Sequence, residues 1–406
     1  AEPTQVLGAS LTYTADPDRE RPSHSEAIGE LASAMASGSI QTLLILGGNP
    51  AYAAPADLQF TELLAKAPVS IHLSLYDDET SQHCTWHLPR AHSLEAWGDG
   101  AAWDGTLTMR QPLIAPLYDG RSAAEVLAFA AGSRVTSGYD LVRENLRRSA
   151  SAVDFEGFWR RALHGGTVEG TAWDIVQPRL NPGRLAVAVD DLRSLLDADL
   201  PSADRPEVVL TADSRIWDGR FANNGWLQEL PEALTKVTWD NALLVSPATA
   251  RELGIGDGEI VEIEFRGATI EAPTFVLPGQ ARASMTLALG YGRTAAGQVG
   301  NGVGVDAYQL RTTNAPHVIS GATVRGTGRS YNLASTQDHF AIDTSGFRER
   351  NRRVGELVRE ASLDAYLANP EVFHEHEHHP PLISLWKDQE YEGEQWGMAI
   401  DLNTCI

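Results

Sequence analysis

The stretch TLLILGGNP, residues 42–50, decides the fold class of this 406-residue chain. Thr42–Leu46 is a short continuous apolar run of the kind found in strands buried on both faces, and Gly47–Pro50 is a turn that ends it. Before the strand, Ser23 and Glu26 have capping-box spacing and open a segment with apolar residues every three or four positions. The pattern predicts an amphipathic helix followed by a strand.

The same alternation continues after the turn. Leu58, Leu63 and Leu64 predict a second helix, and Val69–Leu75 predicts a second strand. The order α, β, α, β is typical of a parallel sheet, where ligands bind beyond the carboxyl ends of the strands. The first turn and the turn Tyr76–Thr80 would then face a common crevice. The sequence favours the simpler interpretation that two Gly and a Pro only terminate a strand.

Further along, helix and strand patterns alternate less regularly. The middle segment contains a helix pattern at Phe155–Leu163 and apolar strand patterns at Leu185–Val189 and Val208–Leu210. From residue 241 onward, short strands are separated by tight turns, which predicts a compact β-barrel. Its predicted elements are the strand Ala242–Val245, a helix capped by Ser246 and ended by Gly254, an alternating strand through Val261, Ile263 and Phe265, and the strands Thr269–Val276 and Ser284–Leu289. A helix is also predicted at Arg352–Tyr366.

Composition excludes several classes of function. The chain has 54 Asp and Glu against 32 Lys and Arg, a net charge of −22, which repels nucleic acid. No apolar run approaches the ~18 residues that a membrane span requires. The two cysteines, Cys84 and Cys405, complete neither a disulfide framework nor a CxxC zinc site. No GxSxG or GxxxxGK[ST] motif occurs, so the sequence supports neither a serine hydrolase nor a P-loop nucleotidase.

Two histidine-rich regions are candidate metal sites. His374–His378 matches HExxH, but Pro370 and Pro380 leave only about two helical turns around it, which favours a solvated loop. A zinc enzyme using His374 and His378 is the alternative. The second group lies in one segment and consists of His72, His83, His87, His92, Asp77, Asp78 and Glu79. These residues either bind a metal ion or are hydrogen-bonded polar residues in a buried loop.

Two glycine-rich stretches, Gly290–Ala295 and Gly302–Ala307, match GxGxxA. In a Rossmann fold such glycines let backbone amides approach a pyrophosphate, provided that a strand precedes and a helix follows. Neither stretch shows that full context. The sequence therefore favours glycine-rich turns after a barrel strand over a dinucleotide site.

Longer phrases carry a family resemblance. They are Leu44–Pro50, Asp78–Thr80, Trp86–Pro89, His92–Asp99, Gln111–Ile114, Trp217–Trp226 and Trp239–Ala242. Together they resemble the molybdopterin oxidoreductase superfamily. They are most similar to its representative in alternative complex III, the quinol-oxidising respiratory complex of bacteria. There the molybdopterin-oxidoreductase-like polypeptide forms one half of a subunit whose other half holds iron–sulfur clusters.

The resemblance implies an α/β fold in four parts. A Rossmann-like parallel-sheet domain would span residues 1–165 and a connecting segment residues 166–234. A double-psi-like β-barrel similar to the molybdopterin-dinucleotide-binding domain would span residues 235–345. An irregular extension, residues 346–406, would lead into a truncated ferredoxin-like domain.

The last residues resemble the start of an iron–sulfur motif. Trp396–Ile406 is similar to the run-in to a bacterial ferredoxin CxxCxxCxxxC motif, in which thiolates ligate iron. Cys405 would be the first ligand of a 4Fe–4S cluster, with the other cysteines after Ile406. The chain starts at Ala1 rather than Met and ends inside this motif, so we expect both ends to be cut from a longer polypeptide.

The resemblance also implies a function and partners. The chain would be a structural part, itself without catalytic residues, pterin or molybdenum, of a complex on the periplasmic side of the inner membrane. That complex passes electrons from menaquinol through iron–sulfur clusters and haems to cytochrome c or a terminal oxidase. Its other members would be a multihaem cytochrome c subunit, polysulfide-reductase-type membrane subunits and small peripheral subunits.

A catalytic alternative stays open. In it, the chain is the C-terminal part of the catalytic subunit of a molybdopterin-dependent oxidoreductase. The turn Gly47–Pro50 and the stretch Gly290–Gly304 would then contact a guanine dinucleotide cofactor.

Overall fold

The computed structural model of the protein describes residues 12–15, 18, 20–149, 154–177, 179–198, 201–337, 359, 361–374, 387, 390, 392–394 and 397. Within them, the α-helices are α1 His24–Ala36, α2 Pro50–Ala53, α3 Phe60–Leu64, α4 Glu79–His83, α5 Ala123–Ala130, α6 Gly138–Ser149, α7 Phe155–Gly165, α8 Pro182–Ala198, α9 Gly225–Glu229, α10 Pro247–Leu253 and α11 Leu363–Ala368. The strands are β1 Thr42–Leu46, β2 Val69–Ser74, β3 Trp86–Pro89, β4 Gly98–Ala101, β5 Leu107–Arg110, β6 Thr167–Val168, β7 Glu207–Ala212, β8 Leu243–Val245, β9 Glu259–Phe265, β10 Ala268–Val276, β11 Ser284–Leu289, β12 Val318–Ile319 and β13 Thr323–Ser330. Residues 1–337 form one unit and residues 338–406 another.

The first sheet confirms the α, β, α, β prediction. β1, β2 and β3 pair in that order and all in parallel. The predicted capping box opens α1, where the Glu26 amide donates to Ser23 Oγ at 3.2 Å and the Ser23 amide donates to the Glu26 carboxylate at 2.9 Å. Met35 from α1 and Leu64 from α3 are buried together against β1, so the helices cover the sheet through an apolar core. The chain is therefore a mixed α/β protein.

A second small sheet and two helices follow. β4, β5 and β6 pair antiparallel, and α6 and α7 pack beside them around buried Trp159. The predicted helix Phe155–Leu163 is confirmed as α7, whose first turn is capped by Asp154. These elements extend the first part of the chain without joining its parallel sheet.

One strand prediction is wrong. Leu185–Val189 lies inside the helix α8 rather than in a strand. Two β-branched valines favour a strand locally, but Leu185, Val189 and Leu192 recur at helical spacing and Pro182 occupies the favoured first helical position. The helical spacing continues to Leu192, beyond the end of the apolar run at Val189, and the segment is helical.

The predicted strands of the later segment form one curled seven-stranded sheet. Its order is β12-β7-β11-β8-β10-β9-β13, with parallel pairs β7/β11 and β8/β10 among antiparallel ones. The strand predicted at Ser284–Leu289 is confirmed as β11, and α10 is capped by Ser246 and ended by Gly254 as expected. Val261, Ile263 and Met285 are fully buried in its core. A closed double-psi-like barrel, a Rossmann assignment for the first sheet and the four domain limits stay predictions.

The described part of the second unit is short. Ser362 caps α11, and a 3-10 helix, Pro370–Phe373, follows it. The predicted helix Arg352–Tyr366 overlaps α11 only at its end, and its first part lies mostly outside the described residues. Cys405 and the histidines after His374 also lie outside them. In the described ranges no helix has both the length and the apolar character needed to cross a bilayer.

Candidate functional site

A cleft of about 280 Å³ lies where the carboxyl ends of β1 and β2 meet later parts of the chain. Gly47–Asn49 and Tyr76 line it from the parallel-sheet side, as the turn positions predict. Gly219–Phe221 lines it from the loop before α9, and Arg293 comes from the loop after β11. The cleft is therefore shared by segments more than 200 residues apart in sequence, all within the first unit.

Next to the cleft, Glu79 is buried and clamped by Arg293. The Arg293 guanidinium donates from Nε to Glu79 Oε1 at 2.9 Å and from Nη2 to Oε2 at 2.7 Å. The amides of Thr294 and Ala295 donate to Oε1 at 2.8 and 2.9 Å, and Asn49 Nδ2 donates to Oε2 at 2.7 Å. Both carboxylate oxygens are thus fully hydrogen-bonded. The clamp fixes α4 of the parallel-sheet part to the loop after β11.

The clamp decides the ionisation of Glu79. Burial by itself raises the pKa of this carboxyl, but the bonds from Arg293, the Ala295 amide and Asn49 outweigh burial and lower the pKa to about 2. The same ion pair overcomes the burial of the guanidinium and raises the pKa of Arg293. Glu79 is therefore a permanently charged structural partner rather than a proton carrier at neutral pH.

Asn49 uses both ends of its amide within the protein. While its Nδ2 donates to Glu79, its Oδ1 accepts from the Thr80 amide at 3.1 Å and from Thr80 Oγ1 at 2.7 Å. The Ala51 amide donates to Thr80 Oγ1 at 3.0 Å. The turn that sequence analysis placed at a crevice is at the crevice, and its polar side chain is occupied in holding α4.

Several further contacts join the parallel-sheet part to the seven-stranded sheet. Tyr52 donates from its hydroxyl to the Tyr291 carbonyl at 2.6 Å, and its ring lies 4.8 Å from the Arg293 guanidinium carbon. The Ala56 amide donates to the Arg311 carbonyl at 2.8 Å. Burial raises the pKa of the Tyr52 hydroxyl, with the Asp306 charge adding to the rise. These buried contacts make the two parts one continuous structure around the cleft.

Gly290, Gly292 and Gly304 of the glycine-rich stretches pack against protein, whereas Gly302 has open space and lines a wide groove of about 680 Å³. Gly290 follows β11 directly, but the chain continues as a loop rather than a helix, so the turn interpretation is the one the structure supports. A Cβ at Gly290 would collide with the Gly219 backbone, and one at Gly292 with the Asp306 backbone. Gly304 lies equally close to Tyr291. The left-handed φ values of Gly290 and Gly292, 103° and 68°, explain why glycine is required there.

Arg90 covers the first glycine of the cleft. Its guanidinium lies so close to Gly47 that a Cβ there would overlap it, whereas Gly48 has open space around its Cα. Within the described residues no carboxylate lies within ion-pair distance of Arg90, while Arg220, also in the cleft, pairs with Asp218 at 2.7 Å. Arg90 therefore brings into the cleft a guanidinium without an ion-pair partner among the described residues, although the carboxyl of Asp78 lines the same cleft.

A second buried network, missed by sequence reasoning, supports the loop on the other side. Arg215 donates to Asp213 at 3.1 Å and to the Tyr291 hydroxyl, which donates in turn to Asp213 at 3.0 Å. Burial, together with the Asp213 charge, raises the pKa of Tyr291. No local motif marks these residues, because Tyr291 lies more than 70 positions from the other two and meets them only through the sheet.

The histidine group forms a polar network. His72 Nδ1 lies 2.8 Å from Ser81 Oγ, and its Nε2 lies 3.0 Å from the Gly48 carbonyl. Ser81 Oγ also lies 2.8 Å from His87 Nδ1. Burial lowers the pKa of His72, with the Asp78 charge opposing this shift. These contacts agree with the interpretation of hydrogen-bonded polar residues. Among the described residues no three His, Cys, Asp or Glu side chains are placed to hold a metal ion.

Comparison with known proteins gives a molybdopterin oxidoreductase-like fold. The solved structure of acetylene hydratase from Pelobacter acetylenicus matches with a TM-score of 0.51 and 14% identity, over 73% of this chain and 46% of that protein. The menaquinone reductase, molybdopterin-binding-like subunit of Nitratidesulfovibrio vulgaris (strain Hildenborough) is 25% identical over 317 residues, 73% of this chain and 43% of that subunit. The chain spans less than half the length of either protein. No protein-family model matches it.

Proposed function

We propose that this chain is a structural part, without pterin or molybdenum, of a subunit in a quinone-linked oxidoreductase complex. The observation that carries the proposal is that the chain's own side chains narrow the crevice to about 280 Å³. Glu79, Asn49 and Arg293 bind one another, and Arg90 lies over Gly47. The chain holds neighbouring redox carriers in position instead of transferring electrons.

The residues around the cleft do not fit a pterin dinucleotide. A volume of about 280 Å³ lies at the lower end of pockets that bury drug-sized ligands, roughly 300–1,000 Å³, and a pterin dinucleotide is larger than such ligands. In a dinucleotide site, glycines leave room for phosphates. Here the protein's own backbone and side chains occupy the room beside Gly290, Gly292 and Gly304, and the larger groove of about 680 Å³ beside Gly302 is widely open to solvent. We therefore derive no chemical step through that cofactor.

The wider assignment follows the relatives. Menaquinone reductase supplies the link to a quinone, and its name describes the matched subunit as molybdopterin-binding-like. We assign the chain to the fused molybdopterin-like and iron–sulfur subunit of a complex of the alternative complex III type, peripheral on the periplasmic side. Electrons would pass from menaquinol to cytochrome c or a terminal oxidase through a multihaem cytochrome c subunit and iron–sulfur clusters. Cys405 would be the first ligand of one of these clusters, beside membrane subunits of the polysulfide-reductase type and small peripheral subunits.

One observation favours a second candidate, the C-terminal part of a molybdopterin-dependent catalytic subunit. Gly48, at the carboxyl end of β1, keeps open space in a cleft that also presents Arg90 and Arg220. Such a glycine and two guanidinium groups are compatible with a phosphate. The crowding at Gly290, Gly292 and Gly304 weighs against this candidate, whereas the groove beside Gly302 leaves room for a ligand.

Cofactor analysis of the purified complex separates the two candidates. Molybdenum and tungsten would be measured by mass spectrometry and pterin by fluorescence after oxidation, with a molybdoenzyme from the same cells as positive control. We expect substoichiometric metal and pterin, and unchanged quinol oxidation in complex from cells grown without molybdate or tungstate. One equivalent of pterin per subunit would rule out the structural role.

A further inference from the structure

We propose that the mouth of the cleft is a protein-docking surface for an apolar segment that carries an acidic side chain. The segment belongs to the polypeptide that completes the molybdopterin-type fold, the part of the relatives that this chain does not cover. This inference rests on the proposed function, because a cleft without a cofactor is free to receive protein.

Three large apolar side chains stand exposed around the mouth. Leu75 is 48% exposed, Tyr76 56% and Phe221 49%, and all three line the same cleft. Clustered exposed apolar side chains around a concave site mark interaction surfaces, whereas single ones are ordinary. The aromatic pair, with an arginine lining the same cleft, has the composition of binding hot spots.

The backbone that presents these side chains is held in place. The Tyr76 carbonyl accepts from Ser81 Oγ at 3.3 Å, and the Phe221 carbonyl accepts from the Asn224 amide at 2.9 Å. The Phe221 amide donates to the Ile216 carbonyl at 3.4 Å. A surface ordered before binding loses little conformational entropy when a partner docks.

Charge defines the chemistry of the docked segment. Arg220 and Arg293 already have carboxylate partners, Asp218 and Glu79, but Arg90 has none among the described residues. A guanidinium among apolar side chains binds a carboxylate through two parallel hydrogen bonds. An Asp or Glu side chain of the docked segment supplies that carboxylate.

The identity of the occupant follows from the coverage of the relatives. The matched part is 43% of the menaquinone reductase subunit and 46% of acetylene hydratase. More than half of each protein is thus additional polypeptide, which must pack on some surface of the matched part. The cleft mouth combines exposed aromatic side chains with Arg90, a guanidinium that has no carboxylate within ion-pair distance among the described residues, and we place the docked segment there.

Photo-crosslinking in the purified, assembled complex tests the proposal. p-Benzoylphenylalanine would replace Tyr76 or Phe221, with Phe129 on α5, 78% exposed but outside the cleft, as matched control. We expect crosslinks from positions 76 and 221 to one Asp- or Glu-containing peptide of the completing polypeptide, and none to that peptide from position 129. In the variant Arg90→Glu, two negative side chains face each other, and we expect the crosslink yield to fall about tenfold or more. Arg90→Lys keeps the positive charge and should retain most of the yield.

Other outcomes overturn the docking surface. These are crosslinks only between copies of this chain, crosslinks only to a cytochrome or membrane subunit, equal yields from position 129, or protection of positions 76 and 221 by inorganic phosphate alone. Pterin content of the same preparation is measured in parallel. Stoichiometric pterin would contradict the proposed function. If pterin is absent and the expected crosslink is also absent, only the docking surface is contradicted.

Discussion

Two carboxyl groups near Arg293 behave in opposite ways. Glu79 accepts from a guanidinium, two backbone amides and an amide side chain, and its pKa falls to about 2. Asp306 accepts from the Tyr308 amide and from Gln309, and no cation among the described residues is bonded to it, so burial raises its pKa to about 6. Burial opposes charge at both positions. The difference shows that bonding partners, not depth, decide which of the two carboxyl groups is held by charge.

The largest loss of stability should come from removing the carboxylate of Glu79. Glu79→Ala leaves the Arg293 guanidinium buried without a carboxylate and frees the amides of Thr294 and Ala295. Breaking a buried pair by removing one partner costs about 3–5 kcal/mol. We expect urea unfolding of the 406-residue chain to show that loss, or two separate transitions as the sheet regions uncouple. Glu232→Ala, in a more exposed turn, is the control, and an equal loss in both variants would contradict the special role of the clamp.

Acid should reduce the contribution of Glu79 to the free energy of unfolding. The folded pKa of Glu79, about 2, is depressed below its ordinary value of 4.5, so its contribution is complete above 4.5 and is lost as pH falls toward 2. The contribution amounts to about 3 kcal/mol from roughly 1.4 kcal/mol per pKa unit. Unfolding free energy measured from pH 6 to pH 3 should fall in the wild type and fall less in Glu79→Gln. Parallel curves for the two proteins would show that other carboxyl groups dominate.

The contribution of Asp306 to the free energy of unfolding should change with pH in the opposite direction. Its folded pKa is raised from 3.8 to about 6, so its stabilisation is complete below 3.8 and is lost as pH rises through about 6. Asp306→Asn keeps the shape without the charge and should stabilise the chain at pH 7.5 by about 2 kcal/mol relative to pH 4. Thermal unfolding at both pH values measures this difference. A constant offset between variant and wild type at the two values would refute it.

Local patterns predict this chain's elements, while distant contacts build its site. The strand Thr42–Leu46, the capping box at Ser23 and the strand Ser284–Leu289 could be predicted because spacing and capping chemistry act over a few residues. The turn at Gly47 was placed at the crevice by the rule for parallel strands. The prediction for Leu185–Val189 failed because a short apolar run fits a strand and a helix equally well.

The ion pair of Glu79 and Arg293 could not be predicted in this way. The two residues are 214 positions apart, and neither stands in a motif for pairing. Sequence analysis placed Glu79 in the turn Tyr76–Thr80, in the family phrase Asp78–Thr80 and in an acidic and histidine-rich group, and none of these indicates a partner for it. Its partner is fixed by the packing of the loop after β11, which depends on the whole curled sheet.

The smallest loss of stability is expected at Tyr52, whose ring lies beside Arg293. Tyr52→Phe removes one hydroxyl that donates to the Tyr291 carbonyl at 2.6 Å and keeps the ring beside Arg293. A neutral hydrogen bond contributes about 1 kcal/mol, so this variant should unfold only slightly earlier than the wild type. Tyr52→Leu also removes the aromatic face under the guanidinium and should cost about 1 kcal/mol more. If Phe and Leu were equally destabilising in urea, the ring would contribute nothing beyond its bulk, and the charged side of the cleft would rest on Glu79 alone.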